Sequence, residues 1–116
     1  MSKRILSISY DESLLVTRGA LLKREGYQVT SELGFTQSAA RCAEGNFDLF
    51  ILGHSIPERD KQELIRIFRA NCSAPVLALL RQGEDAPGNA DYQVFPYDPV
   101  QLLKTVARIL GQSVAI

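Results

Sequence analysis

Short apolar runs and helix-length amphipathic stretches alternate along the whole chain, and this alternation constrains the fold more than any other feature. "RILSIS", Arg4 to Ser9, reads as a first strand. In "DESLLVTRGALLKREG" the pairs Leu14 and Leu21, and Leu15 and Leu22, stripe one side of a helix that Gly26 should end with a left-handed cap. "YQVTS" reads as a second strand, and Thr36 is placed to cap a helix carrying Ala39, Ala40 and Ala43 and stopping at Gly45. "FDLFIL" is almost wholly apolar, as a central parallel strand must be when helices cover both its faces. Asp60 is the expected cap of a third helix whose Leu64, Ile65 and Phe68 turn inward, and "APVLALL" from Ala74 is a fourth strand. "DYQVF" is the fifth. Asp98 and Pro99 then open a helix that buries Leu102, Val106 and Ile109, with Leu103 and Leu110 beside them, before Gly111.

Strands and helices in alternation fold as an α/β sandwich around an open five-stranded parallel sheet. Between Leu80 and Asp91 lie only the ten residues "RQGEDAPGNA", with two glycines and Pro87, so the helix due there is shortened or missing. The 116 residues suffice for one domain with a real core, expected over 3–111 with 112–116 as a tail. Sites in such sheets lie at the carboxyl ends of the strands, near the topological switch point. That rule selects Ser9, Tyr10 and Asp11 after the first strand and Gly53, His54 and Ser55 after the third. It adds Leu80 after the fourth strand, and Phe95 and Pro96 after the fifth.

Lysine plus arginine equal aspartate plus glutamate at 13 each, which argues against nucleic acid or an anionic membrane as partner. The opening "MSKRILSISYDE" reaches Asp11 and Glu12 before any long apolar run, unlike a signal peptide, and a cytoplasmic location is expected. Cys42, Cys72 and a single histidine do not compose a zinc site, and both thiols read as buried. No cofactor is expected: Gly83 and Gly88 lack the spacing of a phosphate loop. Arg18, Lys23 and Arg24, and Lys61, Arg66 and Arg69, lie among acidic residues and read as solvated helix faces.

In "KRILSISYDE", "LLKREGYQV", "GNFDLFILGHSIP", "APVLALL" and "ADYQVFPYDPVQLL" the whole chain resembles the receiver domain of bacterial two-component response regulators. That resemblance implies a flavodoxin-like fold and a place in phosphorelay signalling. In the family, an acidic pair after the first strand holds magnesium, and an aspartate after the third takes a phosphoryl group from a histidine kinase. A hydroxyl residue follows the fourth strand and a lysine before proline the fifth. Here the acidic pair falls on Ser9 and Tyr10, the phosphoacceptor on Gly53, the hydroxyl on Leu80 and the lysine on Phe95. Pro57, Tyr92 at the switch-aromatic position, and Pro96 remain; the resemblance makes Phe95-Pro96 a candidate cis peptide.

Glycine has no side chain to phosphorylate, and Leu80 and Phe95 make the expected pocket apolar. The reading that follows is a degenerate, non-enzymatic receiver-like module without metal, which binds a protein partner or a second copy of itself. Loss of about two helical turns relative to the family would uncover the sheet near Val76, Leu77, Tyr92 and Val94 as the docking side, unless the loop folds back and covers it. The alternative is a divergent receiver phosphorylated or metal-bound through Asp11 and a neighbour such as His54 or Ser55. Asp11 also suits a helix cap, and strand alternation directs His54 away from the direction of Gly53.

Overall fold

The computed structural model describes residues 2–80, 90–94 and 98–111. The elements run β1 (Arg4–Ser9), α1 (Glu12–Arg24), β2 (Gln28–Leu33), α2 (Phe35–Glu44), β3 (Leu49–Leu52), α3 (Glu58–Asn71), β4 (Val76–Leu79), β5 (Tyr92–Val94) and α4 (Pro99–Leu110). All strand pairs are parallel, in the order β2-β1-β3-β4-β5. This is the flavodoxin-like order, with β3 in the middle as its apolar run requires and the switch point between β1 and β3.

Alternation along the strands divides the core in two. Leu6, Ile8, Phe50, Leu52 and Val76 pack against Cys42 of α2 and Leu64, Ile65 and Phe68 of α3, with the Phe50 and Phe68 rings 4.6 Å apart. Ile5, Leu49, Ile51, Leu77, Leu79 and Val94 meet Leu22 of α1 and Leu102 and Val106 of α4 on the other face. Odd positions of β1 and β3 therefore look toward α1 and α4. That parity decides which side chains can meet at the strand ends.

Asp98 caps α4 by accepting from the Gln101 amide at 3.0 Å, Pro99 is its first residue, and Gly111 closes it in the left-handed conformation. Two other caps differ from expectation. Gly34, not Thr36, precedes α2, and Pro57, not Asp60, precedes α3; neither helix has a side-chain cap at its start. In α2 the buried residues are Ser38 and Cys42, whereas Ala40 and Ala43 face solvent and Ala39 is half-buried.

Of the two outcomes expected for β4 and β5, an apolar opening or a covered face, the opening is not found at Val76, Leu77 and Val94. Val76 and Leu77 are fully buried and Val94 nearly so, because each belongs to one of the two cores; Tyr92 alone is exposed, at 44%. The stretch expected to lack a full helix falls mostly on 81–89, outside the described residues, as does the Phe95-Pro96 bond. Among the described residues no helix is long and apolar enough to cross a membrane.

Candidate functional site

The carboxyl ends of β1 and β3 are joined through serine hydroxyls. Ser9, fully buried, donates from Oγ to the Asp11 carbonyl at 3.1 Å and accepts from the Asp11 amide at 3.0 Å. Its Oγ lies 3.1 Å from Ser55 Oγ; since a hydroxyl has one proton, Ser55 donates here when Ser9 donates to Asp11. Ser55 Oγ also accepts from the Tyr10 amide at 3.0 Å, so the loops after β1 and β3 are stitched together without a carboxylate.

Asp11 and Asp60 supply carboxylates nearby, and both are engaged. Asp11 caps α1, accepting from the Leu14 amide at 3.0 Å. Asp60 Oδ2 accepts from the Tyr10 hydroxyl at 2.8 Å, which ties the β1–α1 loop to α3. Burial first, then this bond to an anion, hold the Tyr10 hydroxyl above its ordinary pKa.

Gly53 follows Leu49 and Ile51 in parity and so faces α1, where Arg18 lies against it. A Cβ at position 53 would stand 3.2 Å from the Ile8 carbonyl, 3.4 Å from Ser9 Oγ and 3.5 Å from Arg18 Nη1. Arg18 is only 6% exposed; its Nε donates to Ser7 Oγ at 2.9 Å and its Nη2 to the Ile8 carbonyl at 2.9 Å. No carboxylate pairs with it among the described residues, and burial lowers its pKa to about 10.

The solvated-face reading is thus corrected for Arg18, and for Lys61, which is fully buried on α3. The signal was present. Arg18 sits three residues after Leu15 and four before Leu22, on the buried stripe, and Lys61 precedes Leu64 and Ile65 in the same way.

Ser9, Tyr10, Gly53 and Ser55 come together as the switch-point rule requires. Leu80 is buried at the end of β4, its amide donating to the Val94 carbonyl at 2.9 Å. His54 is half-buried. Tyr92 opens β5 opposite Leu77, toward the start of the strands rather than their carboxyl ends, and Phe95 and Pro96 lie outside the described residues. Cys42 is fully buried, and Cys72 is half-buried with Sγ donating to the Phe47 carbonyl at 3.3 Å.

No family model matches the chain. It is 29% identical over 99 residues to the transcriptional regulatory protein ResD of Bacillus subtilis, covering 79% of this chain and 41% of that protein. It is 28% identical over 123 residues to the regulatory protein VanRB of Enterococcus faecalis, covering 100% of this chain and 56% of that protein. The chain thus spans about half the length of these relatives. Among solved structures it resembles the N-terminal domain of a response regulator/sensory box/GGDEF protein from Carboxydothermus hydrogenoformans, with TM-score 0.81, 19% identity and 94% of each chain covered. It also resembles the receiver domain of a Pseudomonas aeruginosa sensor histidine kinase with magnesium coordinated in its active-site cleft, with TM-score 0.77, 17% identity, and 97% and 100% of the two chains covered.

Proposed function

We propose that this chain, whose homologues are response regulators and whose fold is that of receiver domains, signals through protein contacts without being phosphorylated. One observation carries the reading: the end of β3 at the switch point presents Gly53 to Arg18, so no carboxylate stands where a phosphoryl group would be taken.

Magnesium of the kind held by the Pseudomonas receiver domain does not fit these residues. It needs near-octahedral oxygen ligands, usually with one or two carboxylates. Ser9, Tyr10 and Gly53 offer none, Asp11 and Asp60 are engaged elsewhere, and a buried guanidinium lies beside Gly53.

The module is residues 3–111 acting as one unit, regulatory rather than catalytic, in a cytoplasmic setting, with a protein or a second copy as partner. With Val76, Leu77 and Val94 buried, Tyr92 is the apolar side chain of these four that β4 and β5 offer to a partner. Incubation with acetyl phosphate, followed by intact-mass measurement, tests the reading. The expected result is no phosphoryl adduct; an adduct mapped to His54, Ser55 or Asp11 would establish a divergent receiver instead.

A further inference from the structure

We infer that Arg18 is a resident cation at the carboxyl ends of β1 and β3, so that the site there accepts an anionic oxygen at position 53 and turns away divalent metal. This rests on the reading of those strand ends as a receiver's former phosphorylation site, and adds what replaced the metal.

The arrangement follows from the helix and the strands. The buried stripe of α1 carries Arg18 between Leu15 and Leu22, and the parity of β3 turns position 53 toward that stripe. Ser7 Oγ and the Ile8 carbonyl take bonds from Nε and Nη2, which anchors the planar guanidinium and leaves Nη1 aimed at position 53, 3.5 Å from where a Cβ would sit. Three polar atoms, the Ile8 carbonyl, Ser9 Oγ and Arg18 Nη1, surround that missing Cβ. A charge so buried, with no carboxylate beside it among the described residues, repels a second cation and favours an anion. Arginine is suited to this because its five N–H donors leave Nη1 available after Nε and Nη2 are engaged, and it stays protonated at neutral pH.

The prediction is counterintuitive for a receiver fold: putting the aspartate back should create an internal ion pair, not a metal site. The test is urea unfolding of Gly53→Asp and its uncharged twin Gly53→Asn, each with Arg18 intact and with Arg18→Met, with and without magnesium in the tens of millimolar. With Arg18 present, G53D should be more stable than G53N by about tenfold in the unfolding constant, and that advantage should vanish in the R18M background. Magnesium should shift none of the midpoints.

An equal or lower stability of G53D relative to G53N with Arg18 intact overturns the inference, as does failure of G53D alone to fold. Stabilisation of G53D by magnesium also overturns it, since a metal that binds the native state raises its stability. If both position-53 variants fail to fold, the unaltered protein decides: its Arg18 Nε–H resonance should stay fixed as magnesium is added, and a saturable shift would refute the resident cation. Phosphorylation of the unaltered protein at His54 or Ser55 would sink the proposed function and leave the Arg18 coupling standing. Loss of the coupling alone would do the reverse.

Discussion

Gly45 and Gly53 sit before and after β3, and they are glycines for different reasons. Gly45 ends α2 at φ +66°, and a Cβ there would lie 2.3 Å from the Asn71 carbonyl oxygen, an overlap with backbone that cannot move aside. Gly53 has no left-handed backbone, and its Cβ would meet nothing closer than 3.2 Å. At the amino end of β3 the fold demands glycine. At the carboxyl end the demand is weaker, a tight contact that a shift of a few tenths of an ångström at the Ile8 carbonyl relieves, so the missing side chain there bears on chemistry more than on folding.

The acids follow the same division. At the amino ends of the strands Asp48 accepts from the Arg4 amide at 2.7 Å, and Asp91 accepts from the Val76 amide at 2.8 Å and from Arg69 at 2.9 Å. These carboxylates align strands. At the carboxyl ends Asp11 and Asp60 serve a helix cap and the Tyr10 hydroxyl, while Ser9 Oγ and the Arg18 guanidinium stand beside Gly53.

The contrast breaks most easily at the glycines. Gly45→Ala should cost about 3 kcal/mol or more, through backbone strain and overlap, whereas Gly53→Ala should stay within about 1 kcal/mol of the unaltered protein. Urea unfolding of both measures the gap, and equal losses would erase the distinction. Asp91→Ala should cost about 2 kcal/mol in the same assay, since it leaves the start of β4 without its acceptor and Arg69 without this ion pair. At the other end Tyr10→Phe should cost about 1 kcal/mol, because only one bond to Asp60 is lost.

Near neutral pH the last effect vanishes, and it emerges only as a slope with pH. Burial pushes the Cys42 thiol up to about 12 from an ordinary value of 9.0. Between these values the unfolded chain loses a proton that the folded chain keeps, so this thiol's contribution to stability is whole below pH 9 and declines toward pH 12. Cys42→Ala, though less stable overall, should lack that component of the slope in unfolding measured across pH 8 to 12.

Much of this was legible in the residues. The alternating apolar runs place the nine elements found among the described residues, and Leu64, Ile65, Phe68, Leu102 and Val106 pack as their spacing implies. Arg18 and Lys61 were hidden because a cation on a helix is ordinarily solvated; only their register with neighbouring leucines marks them as inward. Asp60 resembles a cap in sequence but is drawn to Tyr10, fifty positions away, a partner no local pattern reveals. Burial of Val76, Leu77 and Val94 likewise depends on tertiary packing.

The most direct measurement is an amide NMR spectrum before and after addition of magnesium with beryllofluoride, which mimics a phosphoryl group on an acceptor carboxylate. Signals of Ser9 to Asp11, Gly53 to Ser55 and Leu80 should stay fixed, because no carboxylate at position 53 receives the mimic. A saturable, concerted shift of those signals would show that the site still binds a phosphoryl analogue, and would contradict phosphorylation-independent signalling.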